Sequence, residues 1–474
     1  MSRSDLDLPS FIPRDILLES FTYPFFDSSF SVDPLGLARL FLDKEGAATK
    51  RGLRGLYVHI PFCDSLCGFC PFVKSVGTQE RIASYLDALC LEICLLAETP
   101  LARSWEFDAV YIGGGTPSVL TPIQIERLIN TIKSTLRLTS DVEFTIEVEP
   151  KSASDQFCDA AALAGANRIS FGVQTLHPEF REMMNLTASL DQIYELARIS
   201  RKYFQVSNLD MIVGYPGQTE EQVVTDMAGA LELDVGNISV FPLDYLATLP
   251  KLLDKIRHGE LPPPPPSTQR WEMFHRARSK LGEVYSAQNM YFFAEPGMPG
   301  CKYMFNIVYG GYFDEYIGLG ASAYSSIRGL AYCNTQSEVD YIRRVTQARE
   351  LPISDASPGH AYEKSYVYFG KRMRADLGEA IELGISDFIG PKFNALVQAG
   401  LVSQDGDDFT LTPRGARFYA QIMVGFLSDG QRRIYDRVCA RMRDQLNWTF
   451  DGASGPECAS TRILAARNTM LHNV

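Results

Sequence analysis

The chain has 474 residues, of which 46% are hydrophobic, and its formal net charge is −12 at pH 7. This length is enough for one large domain with appendages or for two or three domains. The acidic balance disfavours nucleic acid or an anionic membrane as the main partner. No apolar run reaches the length of a membrane span, and the first residues lack a signal-peptide core. We therefore expect a cytoplasmic protein, and nothing in the sequence predicts an assembly larger than a monomer.

Residues 1–50 contain few regular patterns, and we expect the aromatic stretch FTYPFF to pack as an N-terminal arm on the body. From residue 55 onward, strand-like segments alternate with helical ones. The predicted strands are GLYVHI, FDAVYIGGG, VEFTIEVEP, NRISFGVQ, SNLDMIVGYPGQ and NISVFPLD.

The helices between these strands carry recognisable ends. A helix is predicted over 79–97, and another begins at Thr121, where Gln124 completes a capping box. A further helix over 154–165 ends at Gly165, and Thr219 with Gln222 caps the last one of the series.

About six β/α units between residues 55 and 245 predict an α/β fold with a parallel sheet, curved into a partial (β/α)6-type barrel. In such barrels the chemistry lies at the carboxyl ends of the strands. The last residues of each predicted strand are therefore the first place to search for a site.

The remainder of the chain predicts smaller units. The run Pro262–Pro266 indicates a stiff linker, and YIGLGASAYSS is expected to close back on the barrel. The tyrosines and phenylalanines of MYFFAEPGMPGCKYMF either line a substrate pocket or belong to the core. The last hundred residues predict a winged-helix-like module whose wing carries three aspartates, which disfavours DNA binding. The expected division is an arm at 1–50, a barrel at 51–260, a capping region at 261–370 and a C-terminal domain at 371–474.

Three cysteines lie close together in the stretch HIPFCDSLCGFCPFVK, directly after the first predicted strand. Ten cysteines in a chain of this kind indicate reduced thiols and a metal site rather than a disulfide framework. Cys63, Cys67 and Cys70 have the spacing C-x3-C-x2-C. A structural zinc site wants four ligands, and thiolates suit iron–sulfur clusters, so three of them predict a metal centre with an open position. A partial zinc site remains the alternative.

This spacing resembles that of the radical S-adenosylmethionine (SAM) enzymes. In addition, YVHIPFC, GGGTPS, IEVEP, RISFGVQ, NLDMIVGYPGQT and YIGLGASAYS occur in the order typical of the oxygen-independent coproporphyrinogen III oxidase-like branch. The chain is identified as a member of that branch from about residue 20 to 430. The resemblance implies a radical SAM barrel and a [4Fe-4S] cluster whose open iron binds SAM. Electron transfer from the cluster then cleaves SAM to methionine and a 5′-deoxyadenosyl radical.

The resemblance also implies roles for single residues. Cys63, Cys67 and Cys70 would bind the cluster, with Tyr57 beside it as a further catalytic residue. His59 is expected to be structural, because its imidazole can hydrogen-bond the loop. The implied cofactor contacts are Tyr57, Phe69, Gly113, Gly114, Gly115, Thr116, Glu147, Gln174 and Asp210.

One position departs from the branch. An arginine that anchors a SAM carboxylate is expected about twelve residues after the glutamine of GVQ, and Leu186 stands there instead. Arg181 and Arg168 are the candidates to replace it.

The branch contains several activities, and the sequence favours some over others. The coproporphyrinogen oxidases carry a further cysteine where Phe72 stands, and the heme chaperones carry a histidine where Tyr303 stands. CGFCPFVK most resembles the class C radical SAM methyltransferases of natural-product pathways.

In that class two SAM molecules bind in one site, and a methyl or methylene group is transferred to an sp2 carbon. The product is methylated or cyclopropanated. We expect a small or carrier-bound natural product as substrate and flavodoxin or ferredoxin as electron donor. The alternatives are decarboxylation of coproporphyrinogen III or other anaerobic tetrapyrrole chemistry, and a non-catalytic carrier that bears a cluster.

Overall fold

The computed structural model describes residues 8–13, 41–42, 50–70, 72–243, 245, 250–358 and 361–446. The expected aromatic arm FTYPFF lies outside these ranges.

Six parallel strands form the centre of the molecule. They pair in chain order, each with the next, as the alternation of strands and helices predicted. The α/β radical SAM type of sheet is thereby confirmed. The strands are β1 (Arg54–Ile60), β2 (Phe107–Gly114), β3 (Leu138–Val148), β4 (Arg168–Gln174), β5 (Val206–Val213) and β6 (Asn237–Pro242).

Helices connect these strands and cover one face of the sheet. The predicted capping boxes at Thr121 and Thr219 both form, and a third one forms at Ser189. Gly165 ends its helix with a φ of 125°, a value that glycine adopts readily. The long helices are α1 (Gln79–Glu98), α2 (Pro122–Thr135), α3 (Asp155–Ala164), α4 (Leu190–Tyr203) and α5 (Glu220–Glu232).

The two faces of the sheet differ in polarity. Residues such as Val58, Ile112 and Ile146 are fully buried against the helices and form the main core. Because successive strand residues point to opposite faces, Tyr57, Tyr111 and the other alternate residues face the inside of the barrel. The inside is rich in polar groups and is therefore suited to a polar ligand.

The sheet continues beyond the proline run. Another helix (Ser267–Leu281) is followed by Ser286–Ala287 and by Phe292–Ala294, which pairs antiparallel with β6. On the other side, Glu315–Leu319 pairs parallel with β1, so YIGLG closes back on the barrel as predicted. Three antiparallel strands extend this edge, namely Tyr324–Ile327, Leu330–Asn334 and Ile353–Pro358.

The C-terminal part contains helices around a small sheet. Residues 402–405 and 408–411 form a hairpin, and Arg374–Asp376 pairs with its second strand. Asp405, Asp407 and Asp408 are all exposed on this hairpin. The helices here include Gly378–Glu382, Ser386–Gln398, Pro413–Ala416, Tyr419–Gly425 and Asp429–Leu446. The division into four domains stays a prediction.

No helix in the described ranges combines the length and the apolar character that a membrane span requires.

Candidate functional site

The cysteine loop lies at the carboxyl end of β1. Phe62–Cys63 and Ser75–Val76 form a short parallel ladder that closes the loop at its base. Cys63 is buried, and the hydroxyl of Thr116 donates a hydrogen bond to its Sγ over 3.4 Å. Lys74 Nζ donates to the carbonyl oxygen of Cys70 over 2.9 Å. The loop is thus held from both ends, with its three thiols on one segment.

The tip of the cysteine loop docks on the chain that follows β4. The backbone N–H of Gly68 donates to the carbonyl oxygen of Met184 over 2.7 Å. Asn185 Nδ2 donates to the carbonyl oxygen of Leu66 over 2.9 Å. Sequence reasoning missed this contact, since the two segments are separated by more than a hundred residues. The adjacent Leu186 packs in an apolar cluster with Phe69.

Neither Arg181 nor Arg168 is placed to take the role of the arginine expected at position 186. The guanidinium of Arg181 donates to the carbonyl oxygens of Val173 and Thr175 over 3.0 and 2.9 Å, and to that of Ala188. Arg168 begins β4, so it lies at the opposite end of the barrel from the strand ends that carry the site.

The three thiols share one electrostatic environment. Burial raises the pKa of Cys63 and raises that of Cys67 to about 12, and the neighbouring cysteines add to both shifts. Lys74 lowers both pKa values. A cation beside the thiols favours the thiolate form, which is the form that binds a metal.

The glycine run at the end of β2 lets two backbones approach closely. Gly115 N donates to the carbonyl oxygen of Ile60 and Thr116 N to that of Phe62, both over 2.7 Å. A Cβ on Gly115 would lie 2.5 Å from the oxygen of Phe62. A Cβ on Gly114, whose φ is 114°, would lie 2.6 Å from the ring of His59. Side chains are therefore excluded from this run beside the cysteine loop.

Glu147 presents a buried carboxyl group beside the glycine run. Tyr111 Oη donates to its Oε1 over 2.6 Å, and the backbone N–H of Gly114 approaches its Oε2 at 3.2 Å. Burial raises the pKa of Glu147 to about 7. Tyr111 was not among the predicted site residues. Its position two residues before Gly113 on the same strand face could have indicated it.

Tyr57 and His59 are adjacent on the inner face of β1. The Tyr57 hydroxyl lies 3.1 Å from His59 Nδ1, and His59 Nε2 lies 3.4 Å from the carbonyl oxygen of Val73. Because a carbonyl only accepts, Nε2 carries the proton and Nδ1 accepts from Tyr57. Burial lowers the pKa of His59 to about 4, so the ring is neutral. His59 thus contacts the cysteine loop in the way expected for a structural residue.

Gln174 ends β4, and Asp210 lies within the neighbouring strand β5. Gln174 has a φ of 68° at an irregularity of β4, an unusual conformation for a side-chain-bearing residue. Asp210 accepts from Asn208 Nδ2 over 3.0 Å and from Ser170 Oγ over 3.2 Å. Burial raises the pKa of Asp210. Ser170 and Asn208 are further polar groups of the site that sequence reasoning missed.

The arrangement of the thiols fits an iron–sulfur cluster better than a single ion. Within the described parts of the chain, no three His, Cys, Asp or Glu side chains converge enough to hold one metal ion. In a four-iron cluster each thiolate binds a different iron atom, so the sulfurs need not converge on one point. The thiols nevertheless perturb one another's pKa.

Comparison with known proteins agrees with this geometry. Residues 57–228 match the Radical SAM superfamily. The heme chaperone HemW of Lactococcus lactis is 29% identical over 384 residues, which are 79% of this chain and 97% of that protein. The oxygen-independent coproporphyrinogen III oxidase of Escherichia coli is 32% identical over 304 residues, which are 62% of this chain and 65% of that protein. The solved structure of coproporphyrinogen III oxidase (HemN) from Escherichia coli superimposes with a TM-score of 0.70 at 26% identity, covering 85% of this chain and 94% of that one.

The fold and the site together define a radical SAM enzyme, and its cofactors are a [4Fe-4S] cluster and SAM. Within that superfamily, the chain is similar to coproporphyrinogen oxidase and to heme chaperones. None of these three relatives is a methyltransferase, so they do not support the expected likeness to class C methyltransferases.

Proposed function

We propose that this protein is a radical SAM enzyme that carries out oxygen-independent chemistry on a tetrapyrrole. The observation that carries the proposal is the similarity to a coproporphyrinogen III oxidase structure, which extends over 94% of that chain. A likeness of this extent includes the parts outside the barrel, where a substrate is recognised. Oxidative decarboxylation of coproporphyrinogen III is the reaction we test first.

The residues of this chain fit the two cofactors. Cys63, Cys67 and Cys70 would hold the cluster, and Thr116 would donate a hydrogen bond to one of its thiolates. Gly113 to Gly115 and Glu147 would lie along SAM, with Gln174 and Asp210 on the neighbouring strands. When bound, the reduced cluster and SAM supply the abstraction of a hydrogen atom from substrate.

The chamber itself restricts where a substrate can enter. Tyr57, Tyr111 and Tyr303 stack inside the barrel, with ring centroids 5.1–6.3 Å apart. These rings fill the barrel below the level of Glu147. Substrate would therefore approach from the carboxyl ends of the strands, where the cysteine loop lies. An external reductant such as flavodoxin or ferredoxin would supply the electron.

A second candidate is the transfer of a SAM-derived methyl or methylene group to an sp2 carbon of a natural product. It is favoured by Phe72, which stands where the oxidases have a further cysteine and whose side chain is 61% exposed beside the loop. Leu186, which packs on the same apolar cluster as Phe69 and stands in place of an arginine, is a second departure near the same loop. Both departures change the surroundings of the cofactors rather than the fold.

A carrier role without catalysis is less well supported by the geometry. The heme chaperone relatives place a histidine where Tyr303 stands in this chain. Tyr303 is only 3% exposed and is stacked on Tyr111, so its hydroxyl is not presented to a ligand at the surface.

The deciding experiment uses anaerobically reconstituted protein with dithionite and SAM. Mass spectrometry follows 5′-deoxyadenosine and S-adenosylhomocysteine, with and without coproporphyrinogen III. We expect 5′-deoxyadenosine to rise when the porphyrinogen is added. Loss of CO2 from its propionate groups should follow once an electron acceptor is added, because the substrate radical gives up one electron as the vinyl group forms. Formation of both nucleosides regardless of the porphyrinogen would instead support carbon transfer.

A pair of cysteine variants distinguishes loss of the cluster from the general effect of removing a thiol. Cys67→Ala should abolish nucleoside formation, whereas Cys94→Ala, on helix α1 and outside the site, should leave it unchanged. An intact cluster with neither nucleoside formed would refute both enzymatic candidates and leave the carrier.

A further inference from the structure

A second pocket lies at the end of the barrel opposite to the cysteine loop. Its volume is about 380 Å3. It is bordered by residues 141–143, 167–168 and 205–206, at or near the beginnings of β3, β4 and β5, and by the segment 299–306. None of these residues belongs to the cofactor site described above.

Arg168 provides a buried cation in this pocket. The residue is 3% exposed, and its Nη2 donates to Asn237 Oδ1 over 3.3 Å. Among the residues that the structure describes, none accepts a hydrogen bond from its buried Nε. A buried guanidinium with an unsatisfied N–H is costly, and structures normally provide a partner for it. The geometry therefore indicates a missing acceptor at this position.

The neighbouring carboxylates do not provide that acceptor. Glu143 accepts from the backbone N–H groups of Lys302 and Tyr303, over 2.6 and 3.0 Å. Asp141 pairs with the Lys302 ammonium over 3.2 Å and is largely exposed. Glu143 offsets part of the charge of Arg168 through space, but its oxygens are directed at the backbone of 302–303.

The rest of the lining is mixed in character. Val142, Val206, Pro299 and Phe305 are apolar, whereas Asn167, Gln205, Gln288, Lys302 and Asn306 are polar. A guanidinium and an ammonium beside such a lining suit a small ligand with one oxyanion, whose other atoms can contact both apolar and amide groups. The pocket volume lies within the range of sites for small molecules.

We propose that this pocket is a binding site for a small organic anion, whose carboxylate or phosphate group pairs with Arg168. The residues that line it are distinct from those that would hold the cofactors. It does not depend on which reaction the enzyme performs.

The test is isothermal titration calorimetry on the cluster-loaded protein, saturated with SAM so that the cofactor site is already occupied. Benzoate and phenyl phosphate are the anionic probes, and benzamide is the neutral one. We expect at least one of the anions to bind with a stoichiometry of one, and benzamide to bind at least tenfold more weakly. The tighter anion identifies the carboxylate or the phosphate as the preferred group.

A charge introduced at the edge of the pocket tests the proposal without altering the buried Arg168. Substitution of the buried Arg168 itself can unfold the protein, whereas Gln205 is exposed and lines the same pocket. Gln205→Glu should weaken the binding of the anion roughly tenfold by repulsion of like charges. Gln398→Glu, an exposed position on the helix Ser386–Gln398, adds the same charge elsewhere and should have no effect.

The proposal is overturned if neither anion saturates below about 10 mM, which would correspond to binding too weak for a built site. Equal affinity for benzamide, or wild-type affinity in Gln205→Glu, would overturn it as well. Failure of the proposed tetrapyrrole reaction would leave all these outcomes unchanged.

Discussion

Replacement of Gly115 by alanine tests whether the glycine run positions the cysteine loop. The added Cβ would lie 2.5 Å from the carbonyl oxygen of Phe62, the residue before Cys63. An ordinary carbon–oxygen contact needs about 3.3 Å, so the two backbones must separate by roughly 0.8 Å. Both backbones are tied here by the hydrogen bonds of Gly115 N and Thr116 N, each 2.7 Å long.

The expected loss of folding stability follows from these two hydrogen bonds and from the added Cβ. Stretching both of them costs about 1 kcal/mol each, and overpacking adds about 1–3 kcal/mol. We therefore expect Gly115→Ala to destabilise the protein by about 3–5 kcal/mol. Because Cys63 follows Phe62 directly, the displacement should also reduce incorporation of the cluster.

The assay compares cluster content with folding. Iron and sulfide content after anaerobic reconstitution is measured together with the thermal unfolding of the cluster-free protein. Gly430→Ala is the matched control, since its Cβ would meet only Ser428 Oγ, at an ordinary contact distance of 3.8 Å, in the first turn of the helix Asp429–Leu446. There the substitution should be neutral or slightly stabilising. A Gly115→Ala protein with full cluster content and wild-type stability would refute the reasoning.

Three further predictions concern hydrogen bonds to sulfur and buried carboxyl groups. Thr116→Val removes the donor to Cys63 Sγ and should lower the cluster's reduction potential by tens of millivolts in a redox titration. Thr116→Ser keeps the hydroxyl and should preserve the potential. Equal potentials in the wild type and both variants would contradict this prediction. Ionisation of Glu147, whose pKa is about 7, should strengthen binding of the cationic SAM roughly tenfold between pH 6 and 8, and Glu147→Gln should make the measured Kd independent of pH. Burial also raises the pKa of Glu92 to about 7, so this carboxyl group is protonated more readily in the folded than in the unfolded protein. The free energy of unfolding should therefore fall by about 3 kcal/mol as the pH rises from 4.5 to 7. Denaturant unfolding of Glu92→Gln should lack this part of the pH dependence, and an unchanged profile would show that burial does not control the titration.

Much of the barrel could be predicted because its signals are local. The capping box of Thr121 with Gln124 places a helix start within one turn, and Gly165 places a helix end. Alternation of strand-like with helical segments predicted the parallel sheet. The cysteine spacing likewise indicated an open metal centre before any contact was known.

The parts that were missed depend on residues far apart in the chain. The docking of Gly68 on Met184 joins segments that no periodicity relates. Glu92 was not noticed because it lies on an amphipathic helix, yet it accepts hydrogen bonds from Gly320 N and the hydroxyl of Tyr341, over 2.7 and 2.6 Å. Such contacts are decided by the packing of distant elements, and a single sequence contains no local signal for them.

The stacked tyrosines join parts of the chain that are far apart in sequence. Tyr303 comes from the segment that follows the barrel, yet its ring stacks on Tyr57 of β1 and Tyr111 of β2. Tyr111 also donates a hydrogen bond to Glu147, so the position of that carboxyl group depends on a segment outside the six parallel strands.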